Sequence, residues 1–204
     1  MAYGILKSET NTGKDSELLC LFTAPLSVIS NQPSYVQDMA NLRRRASSQN
    51  VQRWEIEAGL APDNGEASAN HLIHTLENGH SDVFFIRMPQ VGGLKTSYAD
   101  IYTNGALAAN VDTFNITGVP KMVPGEFIRF TNHNKVYLVV AAGASGTGVR
   151  ITPSLRKAVP TGTKIIVGDK VTMDARYDTS VRLGIVYKDG ILSDPGTVRL
   201  IEAT

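Results

Sequence analysis

His71, His74, Glu77 and His80 recur at three-residue intervals, the spacing of metal ligands along one face of a helix. His71 and His74 would be close enough to chelate one ion. Each further step drifts around the axis, however, and His80 lies beyond Gly79. No second ligand group follows at the spacing of a zinc site. A solvated helix face with no metal is the expectation. The run Gly143-Ala144-Ser145-Gly146-Thr147-Gly148 has the glycines of a phosphate cradle. Such a cradle needs Gly-Lys-Ser/Thr opening a helix, and here Val149-Arg150-Ile151 reads as a strand, so a hairpin loop is expected. Cys20 is flanked by leucines with no activating base beside it, and no G-x-S-x-G turn occurs. These residues predict neither an enzyme nor a cofactor.

Three further polar groups stand out. Asn132-His133-Asn134-Lys135 interrupts two apolar alternating runs, FIRF and VYLVV. Asn tolerates left-handed backbone angles and hydrogen-bonds locally, so the four residues read as the turn of a β-hairpin. No acid or second histidine lies near them in sequence to complete a site. Glu55 and Glu57 share one face of an alternating strand, where paired acids ordinarily meet solvent. Arg43-Arg44-Arg45 has no interleaved aromatics, and 20 basic against 19 acidic side chains leave a formal net charge of +1. That balance argues for a subunit contact or surface loop over a grip on nucleic acid.

The elements that carry these residues are mostly strands. Residues 18–30 read as a strand bent at Pro25, and residues 34–50 as either a weak strand with a loop or a short helix. Residues 51–60 form the cleanest strand, with Trp54, Ile56 and Ala58 opposed to Arg53, Glu55 and Glu57. One helix follows. Asp63 and Glu66 make its capping box, Ala69, Leu72, Ile73 and Leu76 its apolar stripe, and Gly79 its end. Residues 82–89 are nearly all apolar, as in a strand buried on both faces.

After Met88 the texture changes. PQVGGLKTSY is a Pro/Gly-rich connection, and short strands with frequent turns run from there to about residue 174. The tail returns to longer strands, with a turn at Lys188-Asp189-Gly190. This predicts one β-domain built from residues 1–90 and 177–204, with residues 91–176 inserted as a second β-module. The chain is 42% hydrophobic, enough for a substantial core, yet no run reaches the ~20 apolar residues of a membrane span. No leader-like segment is evident, and one cysteine excludes an intrachain disulfide, so folding in a reducing cytosol is expected.

Gly125, Glu126, Phe130, His133, Lys135, Val136 and Tyr137 form a patterned hairpin, followed by Ile151, Pro153 and Leu155, then Pro160 and Gly162. This succession, together with VQRWEIEAGL, the helix and DVFFIRMPQ, resembles the bacteriophage distal tail proteins over about residues 18–200. The resemblance implies an all-β protein with one short helix, a tail-tube-like β-sandwich carrying an inserted OB-like β-barrel. It implies a structural virion protein at the distal end of the tail, assembled in the host cytoplasm as a homo-hexameric ring. Its partners would be the tail tube and the baseplate hub or tail-tip proteins. Genomic DNA would pass through the ring without specific binding. On that basis Glu55 and Glu57 are expected to face the channel, and Arg43, Arg44 and Arg45 a neighbouring subunit. Two alternatives compete: a major tail tube protein, and a carbohydrate-binding adsorption module using Tyr98, Tyr102 and Phe114 as its platform.

Overall fold

The computed structural model describes residues 3–7, 18–38, 44–48, 51–62, 66–78, 81–91, 100–117, 122–143, 146–180, 184, 186–188, 191–193 and 196–203. The chain is all-β with one α-helix, as the strand pattern predicts. Six antiparallel strands close into a barrel in the order β1 (Gly4–Leu6), β2 (Leu18–Asn31), β5 (Arg53–Pro62), β17 (Gly196–Glu202), β14 (Thr172–Tyr177) and β6 (Phe84–Arg87). On β5 the alternation holds: Trp54, Ile56, Ala58 and Leu60 enter the core, opposite Val198 and Leu200 of β17. The expected break in β2 is also present, as a register shift between Thr23 and Ser27 spanning Pro25.

A second sheet takes the middle of the chain. Its order is β8 (Thr113–Phe114), β12 (Val149–Thr152), β11 (Val136–Ala141), β10 (Phe127–Phe130), β13 (Lys164–Val167), β7 (Ile101–Thr103) and β9 (Ile116–Thr117). The two edge strands, β8 and β9, are separated by Asn115 alone. The sheet must therefore roll until its opposite edges share one segment of chain. Sheet membership moves one expected boundary. The sequence pattern places β14 within the 91–176 insert, but the strand hydrogen-bonds β6 and β17. The crossing back thus falls near the short 3-10 turn Gly168–Lys170, not at residue 176.

Strands β10, β11 and β13 lie between two cores. Ile128, Phe130, Tyr137, Val139, Ile165 and Val167 fill the middle module, while Phe127, Val136 and Ile166 on their opposite faces join the core of the first barrel. A period-two strand with both faces apolar is what sandwiching between two layers demands. The ambiguous segment 34–50 is a hairpin, β3 (Ser34–Asp38) with β4 (Arg44–Ser48). Near the C-terminus β15 (Val186–Lys188) pairs with β16 (Ile191–Ser193). Each hairpin is a two-stranded sheet of its own.

Helix α1 (Glu66–Asn78) docks on the start of β2, where Ser68 Oγ donates to the carbonyl of Leu19. Its buried face differs from the expected stripe. Ser68, Leu72 and Thr75 are buried, whereas Ile73 and Leu76 are 52% and 45% exposed. The reason is polar satisfaction. Ser68 is held by the strand below, and Thr75 Oγ1 returns its proton to the His71 carbonyl at 2.8 Å. Small hydroxyl side chains can therefore line the contact. Asp63 and Gly79, the expected cap and stop, lie outside the described residues. No helix among the described residues is long and apolar enough to cross a membrane.

Candidate functional site: a polar seam between the two sheets

The hairpin tip is not an idle turn. Lys135 is 3% exposed and points across the seam into the first barrel, where its ammonium pairs with Glu202 at the end of β17. The same ammonium donates to Gln52, reaching the backbone carbonyl at 3.1 Å and Oε1 at 2.8 Å. Glu202 is equally committed. Beyond the ion pair, Oε2 accepts the Trp54 backbone N–H at 3.1 Å and Oε1 the Val136 N–H at 3.3 Å. Burial pulls the Lys135 ammonium down to about 8, against the opposing attraction of Glu202. A lysine lowered into this range can serve as a base, but here its three protons are already spent on protein acceptors. The arrangement locks two elements together.

The rest of the seam repeats that logic. Asn134 Nδ2 donates to Asp174 Oδ2 at 2.7 Å. Arg129 donates from Nη1 to the Thr172 carbonyl at 3.2 Å and lies 3.8 Å from Asp174. Trp54 Nε1 donates to the Val136 carbonyl at 2.8 Å, its ring edge-on to Phe127 at 5.2 Å. Gln90 accepts the Phe127 N–H at 2.9 Å and donates to the carbonyls of Phe127 and Gly168. Buried polar groups are costly unless paired, and here the partners come from opposite modules. These bonds tie the middle sheet to the first barrel.

His133 completes the tip from the other side. The Arg156 N–H donates to the Tyr137 hydroxyl at 3.2 Å, which leaves the hydroxyl proton for His133 Nε2 at 2.8 Å. His133 Nδ1 then carries its own proton and donates to Asn132 Oδ1 at 2.8 Å. Burial pushes the imidazole down to about 4, with Lys157 and Arg129 adding to the effect. It is a neutral structural histidine stacked on Phe130.

The expectation for Glu55 is overturned. Its side chain is 1% exposed, not free on a polar face, and receives Arg199, Arg53 and Asn31. Burial alone would raise its carboxyl, but hydrogen bonds from Asn31, Arg199 and Arg53 outweigh it and hold the pKa below the usual value. Glu57 stays half-exposed, 3.7 Å from the same Arg199. An alternating strand places both acids on one face, but only the fold reveals that Arg199, opposite Glu57 in the ladder, covers one of them.

His71 also departs from expectation. It packs edge-on against Phe84, with Nε2 3.4 Å from the Tyr177 hydroxyl, and burial lowers it to about 4. His74 stays on the exposed side, 3.7 Å from Asp82, and His80 lies outside the described residues. Among the described residues no three His, Cys, Asp or Glu side chains gather as a metal site. Antiparallel β11 and β12 flank the Gly143–Gly148 run, as the expected hairpin requires, with Ala144 and Ser145 outside the described residues. Arg44 and Arg45 lie on β4; Arg43 lies outside the described residues. Of the proposed sugar platform, Phe114 is in the core, Tyr102 is partly exposed and Tyr98 lies outside the described residues.

The seam residues missed in sequence share one signal. Arg129 in FIRF, Asp174 in VTMDA and Glu202 in VRLIE each put a charge among apolar strand residues, the only other charges on those strands being Arg176 and Arg199. Such charges are almost never buried unpaired, so they can be matched by sign before their positions are known. No protein-family model matches this chain, and none of the curated proteins matches it.

Proposed function

We propose that this chain is a structural ring subunit of the bacteriophage distal tail type, joining the tail tube to the baseplate or tail tip around the DNA channel. One observation carries the reading. The closed barrel and the seven-stranded middle sheet, joined along the seam, are accompanied by two hairpins, β3–β4 and β15–β16, that are each paired only with themselves among the described strands. Isolated two-stranded hairpins are marginal in water and leave unpaired edges. They gain stability when a neighbouring copy or ring covers them. Val186 and Tyr187 on β15 are 46% and 63% exposed, consistent with a surface that assembly would bury.

The seam suits the same role. A ring that transmits load along a tail gains from modules that do not hinge, and charges sealed between them resist slippage. On this reading the chain works by assembly and not by catalysis, without a cofactor. Heterologous contacts around a closed ring let a single chain form a channel. Glu57 is the remaining acidic candidate for its rim, since Glu55 is neutralised within the subunit.

Antibody labelling of phage particles from the source, viewed by negative-stain electron microscopy, tests the proposal. Label confined to the junction of tube and baseplate is expected. Label along the whole tail would assign the chain to the tube itself, and particles without label under conditions exposing the epitope would remove the virion reading.

A further inference from the structure

Lys135, Gln52 and Glu202 bring an amine, a carboxamide and a carboxylate together inside the seam. The three residues are 3%, 3% and 5% exposed. They arrive from separate elements: Lys135 at the hairpin tip before β11, Gln52 just ahead of β5, and Glu202 at the end of β17. A buried amine can displace ammonia from an amide when a neighbouring group carries the protons.

The geometry supplies each part. A lysine only donates, so the oxygen of the Gln52 amide is the atom that faces Nζ, at 2.8 Å. Adding a carbonyl bond of about 1.2 Å puts Cδ within about 4 Å of Nζ. A modest rotation of the amide closes that to the roughly 3–3.5 Å from which bonds form. The amide nitrogen points the other way, 3.2 Å from Oγ of Ser30, an exposed residue. The leaving group therefore faces the way out. Glu202 Oε2 accepts from the same Nζ and is held in place by the Trp54 N–H at 3.1 Å. Burial draws the Lys135 ammonium down to about 8, so its free amine is accessible close to neutral pH.

We propose that Lys135 and Gln52 join through an isopeptide bond, with Glu202 as the proton carrier. Glu202 takes one proton from the Lys135 ammonium. The freed lone pair forms the bond to Cδ, and the carbonyl π pair moves onto Oε1. Glu202 then gives its proton to the amide nitrogen and takes one from the attacking nitrogen. As the carbonyl re-forms, the bond from Cδ to Nε2 breaks and ammonia leaves. Glu202 keeps the last proton, so no unpaired charge stays buried, and nothing is oxidised or reduced. The product is a covalent tie between the middle module and the first barrel, across 83 positions of sequence.

Intact-mass spectrometry of the full chain tests the bond, with the folded protein held at mildly alkaline pH before it is denatured. The expected product is lighter by one ammonia, and trypsin should release a branched peptide joining residues 46–53 to residues 130–150. Lys135→Arg and Glu202→Gln should each keep the full mass, with Trp54 fluorescence and circular dichroism reporting whether they fold. A wild-type chain that stays folded and keeps its full mass overturns the proposal, whatever the variants do. Ammonia loss without the branched peptide, as a succinimide at Asn132 or Asn134 would give, overturns it as well. A branched peptide that forms undiminished in Glu202→Gln overturns the assignment of Glu202.

Discussion

Lys135 and Glu202 stand 67 positions apart in sequence and form an ion pair whose side chains are 3% and 0% exposed. One sits at the tip of the middle module's hairpin and the other on the last strand of the first barrel. Their pairing, with Gln52 and two backbone amides filling the remaining valences, makes the insertion a continuation of the barrel it interrupts.

We predict that Glu202→Ala, which strands the Lys135 charge in the seam, costs about 3–5 kcal/mol of stability. The double variant Lys135→Met/Glu202→Gln removes both charges and keeps an acceptor for one of the Trp54 and Val136 amides, so it should lose less than Glu202→Ala does. Urea denaturation followed by the fluorescence of Trp54, the chain's single tryptophan, reads the seam directly. Equal losses in the two variants would show that the pair is not sealed.

Glu55 and Glu57 look equivalent in sequence but should respond differently to neutralisation. Glu55→Gln leaves a buried amide against Arg199 and Arg53 in place of a carboxylate, and a cost on the order of 1–3 kcal/mol is expected. Glu57 is 44% exposed along its side chain, so Glu57→Gln should stay within about 0.5 kcal/mol. Thermal and chemical denaturation of both variants side by side checks this, and similar losses would place Glu55 in solvent after all.

Acid should destabilise the fold through two histidines. Burial lowers both His71 and His133 from 6.5 to about 4. The folded state therefore binds fewer protons than the unfolded chain between those values. Their contribution is fully present above pH 6.5 and is lost as pH falls towards 4, by at most about 1.4 kcal/mol per pH unit for each. Asp82 opposes the shift at His71 and His74 reinforces it, while Lys157 and Arg129 reinforce it at His133. Proton NMR titration of the two rings should show both neutral at pH 6, with His71→Gln and His133→Asn each flattening the acid limb of a stability-versus-pH curve.

Much of the architecture was legible in local pattern. The alternation of Trp54, Ile56 and Ala58, the bend at Pro25 and the turns around each middle strand depend on side-chain period and backbone preference, which act within a few residues. The Gly143–Gly148 run could be read as a hairpin loop because the residues after it form a strand.

Tertiary structure decided what those residues do, because burial and charge pairing are properties of distant neighbours. Tip residue Lys135 became a clasp only when β17 brought Glu202 beneath it. Glu55 lost its solvent when Arg199 folded over it, and Ile73 and Leu76 kept theirs because Ser68, bonded to Leu19 of the barrel, and Thr75, bonded to the His71 carbonyl of its own helix, take the buried face. Strand β14 has the local signature of the middle module, yet its hydrogen bonds go to β6 and β17. Sequence alone determined which segments become strands and which residues must find partners; the fold determined which partners those are.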